Sequence, residues 1–258
     1  MKKMTIERFL TWAFSVELAG WRPDDGADLG YGASAWAAIE RVGMLGTRID
    51  GGAAPLGQSR RDEPHADAFA AADAVMALGS LGGFDVAAGW TPFPDWADEH
   101  GLVAGEVARV IEEQRLRGDR VNGDHVVNLV LASAVLGRGP DWQADEPQAE
   151  MIKRGGNPAW FVMKKGRDAF GRIYEYEADG RNQAGKRPVK GAYRKYELTA
   201  PVRGAILARL DWQLWQDALA TLHDSLGGRL ANHALLPFRP DRQPWVRQHV
   251  VSQGIVNA

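Results

Sequence analysis

Apolar residues recur at every fourth position from 206 to 226, and this spacing constrains the fold more than any other feature of the sequence. The series is Ile206, Leu210, Leu214, Ala218, Leu222 and Leu226. Such spacing puts one apolar stripe on a long α-helix, which needs other elements to cover it. Pro201 suits the first turn of that helix, and Gly227 and Gly228 suit its end. We therefore expect a long C-terminal helix followed by an extended, proline-containing tail.

Helical patterns also dominate the N-terminal part of the chain. Thr5 can cap a first helix that ends at Gly20. The other helices are predicted at 34–42, 65–78 and 102–117. Glycine and proline residues at 50–64 indicate an exposed loop between two of them.

The apolar segment 124–136 is ambiguous, because its periodicity does not decide between a buried helix and a strand. As a helix it would follow 102–117 in the manner of a helix-turn-helix motif. A recognition helix needs polar or basic side chains at base edges, and this segment offers only Asn128 and Ser133. We therefore do not expect it to read DNA.

Beyond a linker-like stretch at 137–158 the pattern changes to strands. They are predicted at 160–163, 172–177 and 192–198, with turns at 166–169 and 180–190. The expected fold is α+β and mainly helical, with a helical N-terminal part, a small antiparallel β-sheet, a long C-terminal helix and an extended tail. An acidic helical region, 1–145, precedes a region, 146–258, that holds the basic sheet and the last helix. Whether they form two domains or one unit stays open.

Composition narrows the class of protein. The chain has 258 residues, of which 45% are hydrophobic and 25% charged, as is ordinary for a globular protein. It contains no cysteine, which excludes disulfides, thiolate nucleophiles and cysteine-ligated zinc. Charged residues interrupt the N-terminal apolar run, and no stretch is long enough to span a membrane. We expect a cytoplasmic protein with no membrane partner.

The small net charge conceals a strong asymmetry along the chain. Residues 1–150 hold 13 basic and 24 acidic residues, a net of −11. Residues 151–200 hold 12 basic and 5 acidic residues, a net of +7, and 201–258 hold 6 and 4, a net of +2. This polarity indicates either two surfaces that meet each other or one surface that meets a polyanion.

Motifs for cofactor or covalent chemistry lack their required context. Gly30, Gly32 and Ala35 fit a dinucleotide fingerprint, but the preceding residues form no buried strand from which such a loop could leave. Seven serines are scattered, and none lies in a nucleophile-elbow motif. We expect no cofactor and no catalytic residues.

Two histidine clusters have structural interpretations. On a helix, His65 and Asp73 share a face while Asp67 points elsewhere, so three ligands do not converge on a metal ion. His223, Asp224 and His233 lie near the end of the last helix and could supply a base and its carboxylate, but the helix dipole alone stabilises a cationic histidine there, and we favour this structural interpretation. We expect no metal site in either cluster.

The basic segment that follows the linker carries the leading functional hypothesis. Its cations alternate with aromatic rings, a combination in which cations favour phosphates and exposed rings stack on unpaired bases. The candidate contact residues are Lys164, Lys165, Arg167, Arg172, Tyr174, Tyr176, Lys186, Arg187, Lys190, Arg194 and Lys195. In the alternative, the rings are the buried face of the sheet and the cations pair with the acidic N-terminal region or with a protein partner.

Several short segments carry a resemblance to other proteins. They are 5–14, 191–198, 211–215 and 228–233. Together they resemble uncharacterised proteins from prophage-like gene clusters of alphaproteobacteria, a group with no known activity from which residue roles could be transferred. The resemblance implies a bacterial, phage-derived setting in which DNA handling and particle assembly are common tasks.

We therefore expect a non-enzymatic, phage-derived protein that contacts DNA or RNA through the basic aromatic sheet. The second hypothesis is a structural or assembly adaptor that binds another phage protein. An enzyme of unrecognised type comes third, because no converging acid, base or nucleophile is visible. The oligomeric state does not follow from the sequence.

Overall fold

The computed structural model describes residues 1–19, 63–81, 86, 89–118, 122–182, 184 and 187–246. Over these residues the fold is mixed α+β and mainly helical, as predicted. The helices are α1 (Ile6–Trp12), α2 (Ala66–Ala77), α3 (Leu102–Arg117), α4 (Gly123–Leu136) and α5 (Arg203–Leu226). The strands are β1 (Lys2–Met4), β2 (Ala149–Met151), β3 (Lys153–Arg154), β4 (Asn157–Pro158), β5 (Phe161–Arg167), β6 (Ile173–Asp179), β7 (Tyr196–Leu198) and β8 (His233–Leu235). A π-helical stretch, Ala13–Glu17, continues α1, and a 3-10 turn, Leu78–Ser80, continues α2.

The chain divides into two compact units made of interleaved segments. The first unit comprises Met1–Asp95, Val110–Gln143 and Ala205–Ala258. The second comprises Trp96–Arg109 and Ala144–Gly204. The predicted helix at 34–42, the glycine fingerprint at 30–35 and most of the predicted loop at 50–64 lie outside the described residues.

Buried side chains from four helical segments form the core of the first unit. They include Ile6, Phe9, Leu10, Ala68, Ala71, Val75, Val127, Val130, Leu131, Leu219 and Leu222. The four-residue spacing of α5 supplies its share, because this spacing keeps successive side chains on one stripe. The long C-terminal helix is thus confirmed, with ends at Arg203 and Leu226.

The ambiguous segment 124–136 is a helix, and its ends show why. The Asn122 side chain accepts a hydrogen bond from the His125 N–H at 2.9 Å, which caps the N-terminus of α4. Gly137 ends the helix with a φ of 64°, a left-handed conformation that favours glycine. A Cβ on Gly123 would lie 2.4 Å from the Gly79 carbonyl oxygen, so α4 begins directly against the turn that follows α2.

A buried ion pair joins α5 to an irregular segment of the first unit. The Arg209 side chain is 2% exposed and donates to Asp95 Oδ1 at 2.8 Å, to Asp95 Oδ2 at 3.2 Å and to the Pro92 carbonyl at 2.8 Å. The rings of Phe93 and Trp245 each lie 4.7 Å from its guanidinium carbon. A tail residue, Trp245, thereby packs against the same cation.

The first unit also contains a strand pair that the sequence pattern did not predict. Strand β1 runs parallel to β8, with Lys2 opposite His233 and Met4 opposite Leu235. Each strand has only three residues, which is too short for alternation to show in the sequence.

In the second unit the predicted single sheet is replaced by separate antiparallel pairs, β2–β7, β3–β4 and β5–β6. The predicted strand at 192–198 is shorter, because only Tyr196–Leu198 pairs regularly. The predicted turn at 166–169 lies further along, at 168–172. There Asp168 Oδ1 accepts hydrogen bonds from the N–H groups of Phe170 and Arg172, and Gly171 has a φ of 78°. The Asp168 hydrogen bonds and the conformation of Gly171 therefore place the turn two residues later than predicted.

No helix among the described residues combines the length and apolar character that crossing a membrane requires.

Candidate nucleic-acid interface and a histidine–aspartate cluster

The hairpin of β5 and β6 has seven facing pairs, from Phe161–Asp179 to Arg167–Ile173, which carry five of the predicted contact residues; a sixth, Arg172, lies in the turn. Facing residues of antiparallel strands share a face. One face, called here the tyrosine face, comprises Val162, Lys164, Gly166, Tyr174, Tyr176 and Ala178. The other, called here the charged face, comprises Phe161, Met163, Lys165, Arg167, Ile173, Glu175, Glu177 and Asp179.

Both rings of the tyrosine face are open to solvent. Tyr174 is 49% exposed and Tyr176 is 42% exposed, and their centroids lie 5.8 Å apart with 41° between the ring planes. A Cβ on Gly166 would lie 2.8 Å from Tyr174 Cζ, so the Tyr174 ring rests against the opposite strand. One side of this ring is thus supported by the backbone while the other stays available for stacking.

One cation shares the tyrosine face with these rings, and two more lie at the turn. Lys164 lies directly opposite Tyr176, and Arg167 and Arg172 flank the turn. In the described part of the chain, none of these three exposed cations lies within ion-pair distance of a carboxylate. Phe170, at the tip, is 86% exposed. The end of the hairpin therefore combines unneutralised positive charge with accessible rings.

The charged face differs from the tyrosine face, because each of its three acidic side chains already forms an ion pair with a cation. The ion pairs are Lys165–Glu175 at 3.8 Å, Lys195–Glu177 at 3.0 Å and Arg154–Asp179 at 3.7 Å. The Tyr193 hydroxyl also donates to Glu177 at 2.5 Å. Hydrogen bonds from Tyr193 and Lys195 hold the pKa of Glu177 below its ordinary value, and the bond to Glu177 raises the pKa of Tyr193.

The remaining predicted contact residues lie outside the hairpin. Arg187 and Lys190 are exposed in the loop that follows β6, and Lys186 lies outside the described residues. The Arg194 guanidinium stacks over the Trp160 ring at 3.9 Å, and Lys195 lies 5.3 Å from the centroid of Phe161. Arg194 and Lys195 are therefore engaged within the second unit.

A second cluster, in the first unit, brings together residues that the sequence interpretation kept apart. The Asp67 carboxylate is 2% exposed and accepts four hydrogen bonds. Oδ1 accepts from the Ala231 N–H at 2.7 Å. Oδ2 accepts from the N–H groups of Asn232 and His233, each at 3.0 Å, and from His233 Nδ1 at 2.8 Å.

The protonation of Asp67 follows from this geometry. Burial raises the pKa of Asp67, but the hydrogen bonds from Ala231, His233 and Asn232 outweigh it and lower the pKa to about 2. The carboxylate is therefore ionised at neutral pH. All four of its hydrogen bonds come from the loop at 231–233.

His65 completes the cluster from the start of α2. The His65 ring accepts a hydrogen bond at Nδ1 from the Asp67 backbone N–H, at 3.0 Å. The His65 backbone N–H donates to Glu17 Oε2 at 3.2 Å. A neutral ring that accepts at Nδ1 carries its proton on Nε2, which lies 2.8 Å from the Asn232 side-chain amide. The atom at that distance is Asn232 Nδ2, so this tautomer requires the Asn232 amide to be turned by 180°, which places its oxygen as the acceptor.

The expectation that Asp67 points away from His65 is wrong. His65 has a φ of −59° and a ψ of 137°, so it is the non-helical cap of α2 and the helical period does not apply to it. His233 likewise takes its carboxylate from Asp67 and not from Asp224, which instead lies 3.4 Å from His223. The pairing spans 166 residues, and no local pattern signals it.

The nitrogen and oxygen atoms of His65, Asp67 and His233 lie within 4.8 Å of one another, a spacing that a metal ion could bridge. Hydrogen bonds already use most of these atoms, however, although His233 keeps a lone pair on Nε2 when its proton is on Nδ1. Asp67 accepts four N–H groups, His65 Nδ1 accepts one, and His233 Nδ1 carries the proton that it donates. The cluster therefore acts as a latch that holds the start of β8 against the start of α2.

Comparisons of the chain with protein-family models, with curated proteins and with solved structures found no match. The resemblance to prophage-encoded proteins stays a prediction.

Proposed function

We propose that this protein binds nucleic acid through the β5–β6 hairpin. The observation that carries the proposal is that Tyr174 and Tyr176 are exposed near cations that form no ion pair with a carboxylate among the described residues. Cations attract phosphates and release their counterions, and rings with a free face stack on bases. The hairpin is also exposed on both faces from Met163 to Glu177, as suits an element that contacts a partner.

Fluorescence anisotropy with labelled single- and double-stranded DNA at 50 and 200 mM salt tests this proposal. If Lys164, Arg167 and Arg172 each contact a phosphate of a single strand, the fourfold rise in salt weakens binding by about 20-fold. Replacing Lys164, Arg167 and Arg172 together with alanine should remove most of that salt dependence.

A matched triple variant controls for net charge. Arg8, Arg138 and Arg229 are exposed arginines of the first unit, and replacing them with alanine removes the same charge elsewhere. This variant should bind as the parent does. Absence of binding to either form of DNA, and to RNA, at 50 mM salt would overturn the proposal.

An adaptor function is the second proposal, and exposed apolar residues of the same hairpin favour it. Phe170, Ile173 and Met163 are all exposed, and such residues often mark a protein interface. The adaptor proposal gains if nucleic acid does not bind while replacement of Phe170 and Ile173 with serine abolishes association with a protein partner.

A further inference from the structure

The two faces of the hairpin differ in a way that bears on which form of nucleic acid it accepts. The tyrosine face presents two ring surfaces and Lys164, with no acidic side chain among its six residues. The charged face presents Glu175, Glu177 and Asp179 at alternate positions, each with a cation partner. A phosphate backbone therefore meets positive charge on one face and mostly compensated charge on the other.

Resting on the proposed function, we infer that the ligand is a single strand, whose unpaired bases stack on Tyr174 and Tyr176 while its backbone passes Lys164. Ring stacking needs a base with a free face, and every internal base of a duplex has both faces covered by its neighbours. A duplex could offer only phosphates and groove edges, which leave the two rings unused.

The position of Tyr174 supports stacking over groove binding. The hydroxyl end of the ring lies over Gly166, since a Cβ there would be 2.8 Å from Cζ and 3.0 Å from the hydroxyl oxygen, so the opposite strand supports the ring. The Tyr176 ring lies beside it at a centroid distance of 5.8 Å, so two neighbouring bases can each find a ring. Arg167 and Arg172 lie at the turn end of the same hairpin, where they can meet the continuing backbone.

Matched oligonucleotides test the inference. The affinities of one sequence as a single strand and as a duplex are compared by anisotropy, in DNA and in RNA, for the parent and for Tyr174→Ala and Tyr176→Ala. Each alanine substitution should weaken single-strand binding by about 5- to 100-fold, and phenylalanine at the same position should restore it. The salt dependence should stay unchanged in the tyrosine variants, whereas Lys164→Ala should reduce the slope by about 0.7.

Controls come from the opposite face of the same strands. Met163→Ala and Ile173→Ala remove exposed apolar side chains from the charged face and should leave single-strand affinity within about twofold of the parent, since they offer no stacking ring. Circular dichroism and thermal unfolding confirm that each variant is folded before binding is compared.

The outcomes separate the inference from the proposed function. A duplex that binds as tightly as the single strand, with tyrosine variants indistinguishable from the parent, overturns the single-strand inference and leaves nucleic-acid binding intact. Phenylalanine variants that lose binding also overturn it, because stacking does not need the hydroxyl. Failure of every oligonucleotide to bind overturns both.

Discussion

Ion pairs of similar chemistry occupy opposite environments in the two units. In the first unit, Arg209 and Asp95 are almost fully buried and share two hydrogen bonds. In the second, Lys165 and Glu175 are both largely exposed at 3.8 Å. Water screens the exposed pair, while removal of one member of the buried pair leaves the other charge away from water without its counter-ion. Burial, more than charge, thus decides which of these residues stabilise the fold and which remain available to a ligand.

The largest effect is expected from breaking the buried pair. Arg209→Met leaves the Asp95 carboxylate without its counter-ion and the Pro92 carbonyl without its donor, so the free energy of unfolding should fall by about 3–5 kcal/mol. Urea unfolding followed by tryptophan fluorescence measures the change. The control is Arg242→Met, which breaks an exposed pair with Asp217 and should cost less than about 1 kcal/mol. Equal losses in the two variants would show that burial does not decide how much an ion pair contributes to the stability of this protein.

The Asp67 latch should rank second. Asp67→Asn replaces an ionised acceptor of four hydrogen bonds with a neutral amide and places an N–H₂ group against donors of the loop at 231–233. A loss of about 3 kcal/mol in the free energy of unfolding is expected. Asp73→Asn, an exposed change on the same helix, serves as the control and should stay within about 0.5 kcal/mol of the parent.

The pH dependence of stability gives a second test of how much the ionised Asp67 carboxylate contributes. The pKa of Asp67 is about 2 in the folded protein against 3.8 ordinarily, so the unfolded chain binds the proton more tightly. The carboxylate therefore contributes about 2 kcal/mol above pH 4, and this contribution is lost as the pH falls towards 2. The stability difference between the parent and Asp67→Asn should narrow over that range. Two curves that remain parallel between pH 5 and pH 2 would show that Asp67 is not the titrating group.

The smallest effect on stability is expected at the hairpin. Glu175→Gln breaks the exposed pair with Lys165 and should change the free energy of unfolding by less than about 1 kcal/mol. The same change removes one negative charge from the hairpin and should tighten nucleic-acid binding by about twofold or more at 50 mM salt. Anisotropy and thermal unfolding on the same samples make both measurements. Weaker binding would indicate that Glu175 contributes to the interface directly.

Features with a local cause could be predicted from the sequence, and features with a distant cause could not. Helix α5 followed from a four-residue spacing within one segment. The density of cations and rings at 164–176 was visible in the sequence, but it did not decide whether the rings are buried or, as the structure has them, exposed. The caps Asn122 and Gly137 carried a signal that would have identified α4 as a helix. The His233–Asp67 bond and the β1–β8 pair depend on contacts between opposite ends of the chain, which no periodicity records.

The pairing of β1 with β8 sets an order of events during synthesis. Met4 leaves the ribosome 231 residues before Leu235, its partner in the parallel ladder. At bacterial or eukaryotic elongation rates this interval is roughly 10–50 s, during which the first strand has no template. All segments of the second unit, by contrast, have been synthesised once Gly204 is added, before the last helix is complete. The unit that begins first is therefore completed last.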